Sequence, residues 1–239
     1  TRPWNGNDFT RASIPGFTCP SDGRGKPSGN DIAPISFHIN RGDFWLDWNW
    51  WECRGVAGNR DRTTHSFATV NDGTSNTMLI SECRIGQGGS NSVATGFARD
   101  IGGGSSTAPG VCLSREGPNG TLTGAVQTGG WFVGARWADS HAIYSQFHAV
   151  LPPNSPSCGN DGEHWAMISA GSYHPGGVNA VFCDGSVHFI SETIDCGDPN
   201  VTEATVNAPG RPQDYTGPSL RGVWGALASQ QSGEVVTVP

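Results

Sequence analysis

Residues 173 to 185 read Tyr-His-Pro-Gly-Gly-Val-Asn-Ala-Val-Phe-Cys-Asp-Gly, with nine residues between His174 and the Asp184-Gly185 pair. Asp-Gly between two apolar, alternating runs predicts a β-hairpin closed by a two-residue loop, because such turns demand positive φ angles. That loop sets a register in which Cys183 faces Ser186, Phe182 faces Val187 and Ala180 faces Phe189. Alternation then gathers Val178, Ala180, Phe182, Val187 and Phe189 on one apolar face, which is the expected core side. Asn179, Val181, Cys183, Ser186, His188 and Ile190 fall on the other, mixed face. His174-Pro175-Gly176-Gly177 reads as a sharp loop leading into the hairpin. His174 and Asp184 admit two readings: ligands or an acid/base pair, or a loop histidine bonded to backbone and an aspartate shaping its own turn. The turn already accounts for Asp184, which favours the second.

Outward from the hairpin the chain reads as short strands separated by turns. Ile35 to Ile39, Ser66 to Val70, Thr77 to Ser81 and Trp131 to Trp137 are strand-like, and Ser219 to Gln230 is a short helix candidate. The stretch from Gly86 to Gly130 is rich in Gly, Ser and Thr and reads as long loops decorating a sheet. With 35 Gly, 16 Pro and only 15% charged residues in 239, the composition is that of many strands and loops, not of a helical bundle. The net charge of -7 opposes sequence-independent nucleic-acid binding and attraction to anionic membranes. No apolar run approaches the roughly 18 residues of a membrane span. The expected fold class is α+β, predominantly antiparallel β, in one domain over 1-239 with long insertions at about 40-65 and 86-130.

Several segments share one resemblance. Phe17-Thr18-Cys19-Pro20-Ser21-Asp22, Asn71-Asp72-Gly73-Thr74-Ser75-Asn76-Thr77 followed by Met78-Leu79-Ile80-Ser81-Glu82, and Gly185-Ser186-Val187-His188-Phe189-Ile190-Ser191-Glu192-Thr193-Ile194 occur in this order. Trp224-Gly225-Ala226-Leu227 and Gly233-Glu234-Val235-Val236 close the series. Together with the hairpin they resemble the pseudopilin-like family of planctomycete-type bacteria defined by a His-x9-Asp-Gly motif. That family is largely of unknown function and was once labelled an extracellular solute-binding family. The family motif falls on His174, Gly176, Gly177, Asp184 and Gly185 and on Asp72, Gly73, Ser75 and Asn76. The resemblance implies a pilin-like globular domain, periplasmic or at the cell surface, that assembles with its own copies or with other pilin-like subunits. It also implies a prepilin leader and a long apolar N-terminal helix, which this chain does not contain; either it is an ectodomain or processed product, the favoured expectation, or this member lacks the anchor.

Seven cysteines without Cys-x2-Cys spacing read as disulfide partners rather than a zinc ribbon. Cys53, Cys83, Cys112, Cys158, Cys183 and Cys196 are the candidates, and order alone suggests Cys53 with Cys83 and Cys112 with Cys158. Seven is odd. The resemblance nominates Cys19 as the one left over, with a partner near the long helix, and Cys183 is the rival.

Catalytic patterns are thin: no His-Glu-x-x-His or Gly-x-Ser-x-Gly occurs, although His164, His174 and His188 lie near one another in sequence. Asp195, Asp198, Asn200 and Glu203 offer hard oxygens within one loop, a possible calcium site that competes with a solvated acidic turn. Phe44-Trp45-Leu46-Asp47-Trp48-Asn49-Trp50-Trp51 packs Trp45, Trp48, Trp50 and Trp51 into seven residues, as a core filler or as a surface for a glycan or a partner. The expected function is therefore a non-enzymatic, extracytoplasmic structural subunit of a surface filament or secretion apparatus. A glycan or small-solute binding module using the Trp-rich segment is the alternative, and a metal-dependent hydrolase built around His174 a weaker one.

Overall fold

The computed structural model describes residues 5–25, 32–45, 53–56, 66–104, 106–206, 215–234 and 236. Its centre is a five-stranded sheet of β1 (Phe37–Asn40), β2 (Met78–Glu82), β5 (Gln146–Phe147), β8 (Gly177–Phe182) and β9 (Val187–Ser191), ordered β5-β1-β2-β8-β9. Every pairing is antiparallel except β1 with β5. Two two-stranded ribbons, β3 (Glu116–Gly117) with β4 (Thr121–Leu122) and β6 (Cys158–Gly159) with β7 (Ala166–Met167), lie outside it. Helices are short: α1 (Asp8–Arg11), α2 (Gly110–Leu113), α3 (Ala142–Ser145) and α4 (Gly222–Ala226). The fold is thus α+β and mostly antiparallel, and no helix among the described residues is long and apolar enough to cross a membrane.

The hairpin forms, but with a different loop. Phe182 N donates to Ser186 O at 2.9 Å and Gly185 N to Phe182 O at 2.9 Å, so Cys183, Asp184 and Gly185 make a three-residue loop. Gly185 at φ 88° supplies the left-handed residue that ends such a loop in a bulge. Pairing therefore runs Val181 with Val187, Ala180 with His188, Asn179 with Phe189 and Val178 with Ile190. A one-residue slip turns every side chain of a strand over. Val187 and Phe189, expected inside, are 61% and 47% exposed, whereas Ile190 is fully buried. His188 packs edge-on against the Phe182 ring, centroids 5.0 Å apart, instead of facing away from the core.

One face of the sheet is core: Met78, Phe147, Val178, Ala180, Phe182 and Ile190 join Ile143, Trp224 and Leu227 in one cluster. Trp224 from α4 anchors that cluster, its indole N–H bonding Leu151 O at 2.9 Å. The Gly-rich stretch has a core of its own. Ala98, Ile101, Cys112, Leu122 and Cys158 surround Trp45, Leu151 and Met167, so these loops form a second packed body on the sheet rather than loose decoration. Cys112 and Cys158 are joined by a disulfide at its centre. The other cysteines remain thiols, which corrects the remaining disulfide candidates. Cys53 and Cys83 sit in separate clusters, and the Cys83 thiol bonds Ser169 O instead of Cys53. Cys183 lies in the hairpin loop, and Cys196 turns to Gly197 O.

Two expected strands are absent. Phe67–Thr69 is a 3-10 turn because the Thr69 hydroxyl bonds both Ser66 N and Ser66 O, offering the backbone a local alternative to a ladder. The segment from Trp131 to Trp137 winds through turns, and Gly134 bonds Ile35 N and Ile143 O as a loop crossing. The helix expected over Ser219 to Gln230 shrinks to α4.

Candidate functional site

Cys19, Glu82 and His174, one residue from each of three motif segments, meet at one end of the sheet. Glu82 is the last residue of β2 and lies on the face opposite the core, in the row Phe37, Glu82, Asn179 and Phe189. Its Oε2 accepts from Asn179 N at 2.7 Å and Asn179 Nδ2 at 3.2 Å. Its Oε1 lies 3.1 Å from His174 Nε2, and the same ring nitrogen lies 3.7 Å from Cys19 Sγ. Glu82 is buried, while Cys19 and His174 are partly exposed. Each residue is held by its own loop. Cys19 N bonds Ser36 Oγ at 2.5 Å, and the following turn is closed by Asp22, which accepts Ile85 N at 2.7 Å. His174 N bonds Ser172 Oγ at 3.0 Å, and that hydroxyl donates to Gly177 O. Gly177 must lack a side chain, because a Cβ there would stand 2.1 Å from Ile190 O. His174 is therefore more than a loop histidine bonded to backbone.

Asp184 is what the turn suggested. Its Oδ1 accepts Ser186 N and Oγ, and those bonds hold its carboxyl below the usual range. Asp72 latches the C-terminal segment, accepting from Ser232 N at 2.6 Å and Gly233 N at 2.9 Å. The turn through Gly73, Ser75 and Asn76 sits against the hairpin loop, Thr74 O accepting Asp184 N and Thr77 O accepting Cys183 N. These motif residues are fasteners.

The acidic loop does not assemble its four oxygens. Asp195, Asp198 and Asn200 are exposed, and Asp198 Oδ1 bonds Asn200 N and Nδ2 in its own turn. Glu203 is buried, accepts Trp45 N and lies 3.9 Å from Arg221, whose guanidinium is the positive charge facing it. Trp45 is 1% exposed, so it is core and not a contact surface; Trp48, Trp50 and Trp51 lie outside the described residues. The three neighbouring histidines also separate: His164 pairs with Asp161 and His188 with Ser186, neither joining His174.

Sequence reasoning missed a second site. Trp131, Arg136, Asp139, His141 and Glu163 line a cleft of about 400 Å³. His141 Nδ1 meets Asp139 Oδ1 at 2.6 Å, which leaves Nε2 as the ring's other polar atom. Burial works against protonation of His141, but the Asp139 bond and the charges of Asp139 and Glu163 outweigh it and raise its pKa. Tyr144 donates to Glu163 at 2.8 Å beneath Arg136. Trp131, 47% exposed, offers an aromatic plane at the rim. The only sequence signal was Arg-Trp-Ala-Asp-Ser-His at 136–141, whose Asp-x-His spacing is too common to single out.

The third feature is a partly exposed apolar row. Ile39, Ile80, Val181 and Val187 form an apolar row across four strands on the sheet face away from the core, next to Phe37 and Phe189. None of these six is buried. Comparison with known proteins adds one match: a family model described as a protein of unknown function (DUF1559) matches residues 1–197. No curated protein and no solved structure matches the chain.

Proposed function

We propose, on the premise that the chain belongs to the DUF1559 family of unknown function, that it is a non-enzymatic, extracytoplasmic subunit of a pilin- or pseudopilin-like assembly. The observation that carries this reading is the partly exposed apolar row Ile39, Ile80, Val181 and Val187, of which Val187 is 61% exposed. An antiparallel sheet with one face in the core ordinarily turns polar residues to water on the other. A contiguous apolar face instead marks a surface that another element covers. The cover we infer is the long apolar N-terminal helix that the pseudopilin-like resemblance implies, through which the subunits would assemble. The Cys112–Cys158 disulfide supports an oxidising, extracytoplasmic location.

Electron microscopy of the full-length native protein tests the reading. Filaments or envelope-bound assemblies are expected, and Val181→Lys with Val187→Lys should disperse them without unfolding the globular part. Wild-type protein that stays monomeric in every condition sinks the proposal.

A second reading has its own support. The cleft with Trp131 at its rim and Arg136, Asp139, His141 and Glu163 below has the aromatic plane and paired polar groups of a glycan or small-solute site. Binding on a glycan array that disappears in Trp131→Ala would favour it.

A further inference from the structure

We propose that Cys19, Glu82 and His174 bind a zinc ion, with the fourth position open to water. The three come from separate segments, yet their Sγ, Oε1 and Nε2 atoms all lie within 4.8 Å of one another. Ligands of a tetrahedral zinc at bond lengths of about 2.0–2.3 Å stand about 3.4–3.6 Å apart. The nitrogen-to-oxygen and sulfur-to-nitrogen separations here are 3.1 and 3.7 Å.

The arrangement also argues against the two other uses of these residues. A nucleophilic Cys-His-Glu relay puts the thiol on one ring nitrogen and the carboxylate on the other. Here both converge on Nε2. That atom carries at most one proton and so cannot bond both neighbours well, whereas a cation between the three satisfies all of them. An isolated His–Glu pair, in turn, leaves the thiol unexplained.

The carboxylate is also held from outside the cluster. Glu82 Oε2 is fixed by two Asn179 donors, which leaves Oε1 to ligate, the outer support that ligating carboxylates require. Tyr173, next to His174, is held by the Arg24 guanidinium at 2.9 Å and lies beneath Arg84. Thiolate and imidazole with one carboxylate suit zinc rather than calcium or magnesium. His174 is 34% exposed at its side chain, so solvent reaches the cluster.

The test uses the full chain. Purified in zinc and dialysed, it is expected to retain about one zinc per molecule by elemental analysis. Exchange with cobalt(II) is expected to give a thiolate-to-cobalt charge-transfer band and a tetrahedral d–d spectrum. Cys19→Ser should abolish the charge-transfer band and His174→Ala the bound metal. Asn179→Ala should weaken zinc about 10–100-fold while touching no ligand atom. Cys183→Ser, outside the cluster, should leave the spectrum intact. If a variant fails to fold, the wild type decides by itself: zinc should raise its melting temperature and a chelator reverse the rise. Folded wild type that retains no zinc and shows no thiolate–cobalt band overturns the proposal. So does a band that survives in Cys19→Ser, or mass spectrometry that finds Cys19 in a disulfide.

Discussion

Truncating Phe189 and Ile190 one at a time tests the hairpin register at single-residue resolution. They are neighbours on β9, but Ile190 is fully buried opposite Val178, and Phe189 is 47% exposed opposite Asn179. Ile190→Ala leaves a hole in a close-packed cluster, and such losses cost about 2–5 kcal/mol. A fully buried Phe would cost about 3–5 kcal/mol on the same change. Phe189 has only about half of its surface to lose and opens a gap that water fills, so Phe189→Ala should cost about 1–1.5 kcal/mol. The smaller side chain should therefore be the more expensive one to remove, by about 0.5 kcal/mol or more. Urea unfolding, followed by the fluorescence of the nine tryptophans, measures both, with equal m-values securing the comparison. A two-residue loop would invert the order, with Phe189 inside and Ile190 out. Equal losses, or a larger loss for Phe189→Ala, would refute the three-residue loop and with it the partly exposed apolar row.

Two further outcomes follow from buried groups. The disulfide joins residues 46 apart, so reduction or Cys112→Ser with Cys158→Ser should cost up to about 4 kcal/mol on a chain-entropy account; a melting temperature unchanged by reductant would contradict it. Burial lifts the Glu203 carboxyl from 4.5 to about 8, against the Trp45 N–H bond and the Arg221 charge that pull it down. A raised carboxyl contributes its stability fully below its unfolded pKa and loses it as pH climbs through the folded one. Glu203→Gln should therefore gain on wild type by about 1.4 kcal/mol per pH unit between those values and level off above pH 8. Melting curves from pH 4 to 9 that show a constant difference would exclude that account.

The sequence made the central hairpin, β2 and the motif turns legible because local chemistry dictates them: Asp184 and Gly185 build a turn wherever they stand. It misled on which side of the sheet β9 faces, because the choice between a two- and a three-residue loop rests on one residue while every side chain beyond depends on it. Ser66 to Val70 had strand composition, but the Thr69 hydroxyl diverts its backbone. The Cys19–Glu82–His174 cluster was not foreseeable as a unit. All three residues were quoted as motif positions, yet no spacing between residues 19, 82 and 174 predicts that they meet. The Arg136–His141 cleft was lost for the opposite reason, its local pattern being too ordinary. Trp45 shows why aromatic density is ambiguous: the same ring serves a surface or a core, and only packing against Leu151 and Met167 decides.

The seam between β2 and β8 joins residues 97 positions apart, Glu82 to Asn179. As the chain is made, β1 and β2 emerge early and wait, their edges unpaired, for partners nearly a hundred residues away. The β8–β9 hairpin closes locally, on the microsecond scale of such turns, but the seam needs a long loop closed first. Folding of this domain should thus be a millisecond-to-second event, limited by the late arrival of β8. Until then, the two waiting strands are the part of the molecule most open to pairing with the wrong chain.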